Sequence, residues 1–209
     1  MKIKTIRLKK NNDLVPEKER EVKGMIIMLA LFGAGMIIGA GLLRNGSSEF
    51  TLDFLTMFDT YTEMRTTQKI YITFFNSLAV NIAFILISFI FGFSCIGLPV
   101  SGILPILKGL GSGVVSGYLF SHFAMSGIGY YLLTIFPGAI IGNSAMLLAC
   151  NCSGFMSIDI LSIITGKKQA DELLIHDYIK KYLIIFALSV VSSIIDAILT
   201  KSFSYLFTL

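Results

Sequence analysis

Residues 70–93 read IYITFFNSLAVNIAFILISFIFGF and hold no Lys, Arg, Asp or Glu. They open a run of 89 residues, Ile70–Ile158, in which Lys108 is the only charged side chain of those four types. A domain surrounded by water cannot leave such a length without charged cover. A bilayer demands it, because a hydrocarbon core about 30 Å thick takes roughly 20 apolar residues per helical crossing. The run is long enough for three crossings. The fold class read from it is an all-α, polytopic integral membrane protein.

Working outward, the 209-residue chain is 55% hydrophobic and only 14% charged, with mean hydropathy +0.79. Soluble domains carry about 25% charged residues. Five spans are predicted, at about 24–43, 70–93, 103–123, 128–150 and 182–207, forming one membrane domain over 24–209. Residues 1–23 form a polar N-terminal segment, 44–69 an outer loop and 151–181 an inner connection. The apolar stretch after Lys23 is longer than a signal-peptide core, so it is read as an uncleaved first span. Pro137 falls inside span four, where a missing backbone donor kinks or breaks a helix. Gly97, Pro99, Gly102 and Pro105 mark the turn before span three, and Ser126–Gly129 the turn before span four.

The net charge of +4 does not point to nucleic acid, because the basic residues flank the spans. They read as topology signals. With the N-terminus in the cytoplasm, 13 Lys/Arg fall inside, Lys108 among them, and 4 fall outside. The C-terminus is then extracytoplasmic. In the outer loop, Phe50, Phe54, Leu55, Phe58, Tyr61 and Met64 follow helical spacing, as in an amphipathic helix on the membrane surface. Phe54, Phe58 and Tyr61 are its candidate partner surface.

Three kinds of residue stand out within the spans. Gly35 and Gly39, then Gly109, Gly113 and Gly117, then Gly138 and Gly142 recur at four-residue spacing, which lets helix backbones approach closely. These faces serve packing within the chain or a homo-oligomer. Asp196, with Ser189, Ser192, Ser193 and Thr200 on one side, makes a polar stripe on span five. Asn76 and Asn81 on span two and Asn143 on span four are the other buried polar candidates. A carboxylate at membrane depth is costly unless partnered, so this set is either a hydrogen-bonded core or a path for a small solute or protons. Cys95, Cys150 and Cys152 lack the spacing of a disulfide framework or a zinc site. His122 and His176 fall on opposite sides of the membrane. No nucleophile–base pair, metal motif or nucleotide loop is present, so neither enzymatic activity nor a cofactor is expected.

The stretches Phe74-Phe75-Asn76-Ser77-Leu78-Ala79-Val80-Asn81, Lys108-Gly109-Leu110-Gly111-Ser112-Gly113, and Phe136-Pro137 with Ala145 eight residues on, resemble the stage II sporulation protein M family. The resemblance runs from about Ile70 to Cys152. It implies a multi-pass protein of the bacterial cell membrane, acting at the septal and engulfing membrane during forespore engulfment. It further implies a non-enzymatic scaffold for two cell-wall-degrading proteins, stage II sporulation proteins D and P. Two other functions remain open at this level: a small-solute or proton-coupled transporter component built on Asp196, and a membrane subunit of an export complex. Membrane lipid is a partner in every case.

Overall fold

The computed structural model describes residues 17–45, 68–166 and 172–203. Phe54, Phe58 and Tyr61, with the predicted surface helix around them, lie outside the described residues. The elements are α1 (Glu17–Asn45), α2 (Ile70–Gly92), α3 (Gly97–Tyr130), α4 (Phe136–Ile164) and α5 (Glu172–Phe203), with a π-helical turn at Tyr131–Ile135 joining α3 to α4. Five stretches are long and apolar enough to cross a membrane: Glu19–Leu42, Ile70–Gly92, Gly97–Ser121, Met125–Ile164 and Ile175–Phe203. Helices are what hydrocarbon permits, since each backbone N–H and C=O finds its partner within the segment.

The bundle is apolar on its outer faces as well as in its core, and small polar side chains are buried within it. Ile37, Phe75, Ile90, Ile103, Leu183 and Ile184 are exposed, whereas Ser88, Ser101, Ser157, Ser189 and Ser192 are buried. Pairings between helices set the topology. Asn151 Nδ2 donates to the Glu21 carbonyl, and the Lys181 ammonium bridges the Glu21 carboxylate at 2.6 Å, so the starts of α1 and α5 share one end with the middle of α4. The Ser88 and Tyr182 hydroxyls are 2.9 Å apart, and Ser157 Oγ donates to the Ser94 carbonyl. The chain therefore runs up, down, up, down, up, and the ends of the bundle lie on opposite faces.

The tightest contact is between α1 and α3, which run parallel. Gly35 and Gly39 face the carbonyls of Ile106 and Leu110, while Gly109 and Gly113 face those of Phe32 and Met36. Each helix lays its backbone on the other's glycines, the close approach that drives helix association in lipid. Gly117 is half-buried one turn further on, and its carbonyl accepts from Ser121 Oγ at 2.8 Å. At the other end, α2, α4 and α5 are tied by aromatic rings. Tyr182 donates to the Ala149 carbonyl at 2.9 Å and Tyr178 to the Phe89 carbonyl at 3.0 Å. The Phe89 ring stacks on Tyr178, with centroids 5.5 Å apart.

Three local features differ from the sequence-based reading. First, α3 starts at Gly97 rather than near Ile103, running through Pro105. Pro99 falls in the first turn, where no N–H is required, and Pro105 costs one internal bond. Second, the turn between spans three and four stays helical. Gly127 nonetheless lies against the Leu119 carbonyl, eight residues earlier. Eight residues of straight helix would span about 12 Å, so the chain reverses sharply here. Third, Pro137 does not break span four. The π-helical turn precedes it, with the Phe136 N–H bonded to the Tyr131 carbonyl, and widens the helix where the proline ring would clash. α4 then continues to Ile164, and Gly166, at φ 71°, closes it.

Two substitutions test this packing. Gly113→Val should destabilise the protein by about 1–3 kcal/mol or more, because a side chain there meets backbone, whereas Gly111→Ala, which faces open space, should be tolerated. Thermal unfolding in detergent, followed by size-exclusion chromatography, distinguishes them. Tyr182→Phe should cost about 1–3 kcal/mol in the same assay, since the Ala149 carbonyl and Ser88 both lose a buried partner.

Candidate functional site

Because α3 begins at Gly97, Lys108 sits eleven residues into it. At 1.5 Å per residue that is about 16 Å, close to half of a hydrocarbon core. Lys108 is therefore not the inner-face marker that its distance from a start near Ile103 implies. It is a cation in the middle of the bundle. Its ammonium donates to Asn81 Oδ1 at 3.3 Å and lies 5.0 Å from the centroid of the Phe84 ring. The Asp196 carboxylate is the opposite charge that acts on it.

These groups line a cavity of about 210 Å³. Asn76, Ser77 and Asn81 come from α2, Lys108 and Ser112 from α3, Gly138, Gly142 and Asn143 from α4, and Ser192 and Asp196 from α5. Gln68 and Thr73 stand at the end where α2 starts, with Gln68 Nε2 donating to Thr73 Oγ1 at 3.1 Å. Asp196 and Asn81 are each 8% exposed, whereas Asn76 is exposed and Asn143 half-buried. The α4 glycines make the arrangement possible. Gly138 lies against the backbone and Cβ of Asp196, and Gly142 against Ser192 Oγ and the Asn81 amide. That proximity lets Ser192 Oγ donate to the Gly138 carbonyl at 2.8 Å.

Of the buried polar candidates, Asn76, Asn81, Asn143 and Asp196 meet at this cavity. Ser193 is buried but turns back on its own helix, donating to the Ser189 carbonyl at 3.0 Å. Lys108 is the member that sequence reasoning missed. Its signal was its isolation as the sole charge in a long apolar run. Among the described residues, no group of three or more His, Cys, Asp or Glu is placed to hold a metal ion.

A family model described as Stage II sporulation protein M matches residues 28–201. The chain belongs to the stage II sporulation protein M family. The match takes in part or all of each of the five helices and every residue lining the cavity. The family places the chain among sporulation-related membrane proteins, and it is not known as a family of enzymes. Neither a curated protein nor a solved structure matches the chain significantly.

Lys108 and Asp196 are opposite charges lining one cavity, so removing either leaves the other without its counter-charge, while removing both is much less costly. Lys108→Met and Asp196→Leu should each destabilise the protein by about 3–5 kcal/mol, and the double variant by clearly less than their sum. A double-mutant cycle of thermal unfolding measures the coupling.

Proposed function

We propose that this member of the stage II sporulation protein M family is a membrane scaffold that localises peptidoglycan-degrading proteins during forespore engulfment. The observation that carries this reading is the family match over residues 28–201. On the family's pattern, the partners are stage II sporulation proteins D and P, at the septal and engulfing membrane. The proposed orientation puts the N-terminus in the cytoplasm. Without Lys108, the Lys/Arg balance along the sequence still favours that side, twelve to four. The outer loop then faces the cell wall, where its apolar residues Phe54, Phe58 and Tyr61 are available to a hydrolase.

Deleting the gene in the native organism tests the role. Membrane-dye microscopy through sporulation should show septa that form and forespores that are not engulfed; normal engulfment would set the role aside. Replacing Phe54, Phe58 and Tyr61 together with Ser should reduce co-purification of the hydrolases while leaving the protein's own level unchanged. Unchanged co-purification would remove the loop from the partner surface.

A further inference from the structure

At the end of the bundle where α1 and α5 start, these two helices scarcely touch and leave a cleft between them, floored by α4. The length of α2 fixes the depth of this cleft in the membrane. That helix has 23 residues, about 35 Å at 1.5 Å each, slightly more than one hydrocarbon core. It ends at Gly92, which lies against the Tyr178 hydroxyl and Ser153. Tyr178 lines the cleft. The cleft therefore stands where hydrocarbon gives way to lipid headgroups.

Its lining is layered by depth, in the same order on two helices. On α5, which runs into the membrane from this end, Asp177 comes first, Lys180 and Lys181 next, and Ile184 last. On α4, which runs the other way, Cys152 and Phe155 precede Asp159. Spacings of three and four residues keep each series on one helix face. Arg20 of α1 sets its guanidinium over the Phe155 ring, 4.7 Å from the centroid. Its neighbour Glu21 meets the Lys181 ammonium, so Arg20 joins the level of the lysines. From bilayer to water the cleft presents apolar side chains, then cations, then carboxylates. Among the described residues, Arg20 and Lys180 form no ion pair. A ring against the face of a guanidinium leaves its N–H edge to bind a phosphate.

Acyl chains, phosphate and a primary ammonium follow one another in the same order in phosphatidylethanolamine. A head that ends without an ammonium would leave the outermost carboxylates facing negative charge. We propose that this cleft is a binding site for phosphatidylethanolamine. Its phosphate rests on Arg20 and Lys180. Its ammonium rests on Asp177, three residues and about 4.5 Å further out along α5. An acyl chain runs along Ile184, which is 62% exposed. The cleft is half-open, as a ligand that enters sideways from the bilayer requires. The proposal does not rest on the scaffold role, since binding is read on the purified protein with no hydrolase present.

The test uses the full chain purified in detergent, with bound lipid followed by native mass spectrometry and dimyristoyl phosphatidylethanolamine as the probe. Matched-chain phosphatidylcholine, whose head has no N–H donor, and phosphatidylglycerol, which has no ammonium, are the controls. The probe should bind saturably. Each control should bind roughly ten-fold more weakly, the loss expected when one charged hydrogen bond goes unmade. Arg20→Gln combined with Lys180→Gln should weaken all three lipids. Asp177→Asn should erase the preference over phosphatidylcholine and leave phosphatidylcholine binding unchanged. These side chains are exposed, so the variants keep the fold. Lys201→Gln, exposed at the opposite end of α5, should change nothing. Absence of saturable binding overturns the proposal, and so does equal binding of the three lipids. Binding that survives the Arg20 and Lys180 changes, or that Lys201→Gln weakens as much, also overturns it. Glycerophosphoethanolamine, the head without chains, should not displace the probe; displacement at matched concentration would make the ligand a soluble phosphate ester and overturn the lipid site.

Discussion

In hydrocarbon, a polar side chain can turn only toward other protein. Every feature of this molecule that departs from a plain bundle of apolar rods follows from that constraint. Exposed Ile, Leu, Val and Phe cover the outer faces of the helices, and the hydroxyls of Ser88, Ser101, Ser157, Ser189 and Ser192 point into the interior. The two charges furthest from either end, Lys108 and Asp196, meet at one cavity. Hydrophobic burial cannot order such helices, because lipid is as apolar as they are. Close backbone packing and inward hydrogen bonds take its place.

The third helix is where these forces converge. One face carries Gly109 and Gly113 and accepts the backbone of α1. Lys108, the neighbour of Gly109 in sequence, reaches Asn81 on α2. The same short segment thus anchors the first span and supplies the cation of the cavity. Across the bundle, Gly138 and Gly142 let α5 approach α4 closely enough for Ser192 to reach a backbone carbonyl. The cavity is what remains where α2 and α4 hold α3 and α5 apart.

Much of this was legible in the residues. The absence of any charge but Lys108 between Ile70 and Ile158 requires membrane spans, and the four-residue spacing of Gly35 and Gly39, and of Gly109 and Gly113, signals close helix faces. It did not say which face would meet which. Asp196 stood out as a lone carboxylate, and Asn81 as one of its candidate neighbours. Ser193 lies on the same stripe yet bonds within its own helix, a choice between adjacent serines that helical spacing does not make. Lys108 was misplaced for a definite reason. Pro99 and Pro105 look like turn residues, so the sequence pattern places the helix start near Ile103. The helix tolerates both, and six extra residues lower its start by about 9 Å. That distance is the difference between a lysine at the membrane surface and one at mid-depth.

By itself the sequence determined the class of solvent, the number of crossings and the family, because each depends on composition and short motifs. Only the tertiary structure decided that Lys108 and Asp196, 88 residues apart in the chain, share one cavity. The depth of each group depends on where its helix begins. The face it presents depends on how four helices rotate against each other, and backbone contacts at glycines govern that rotation.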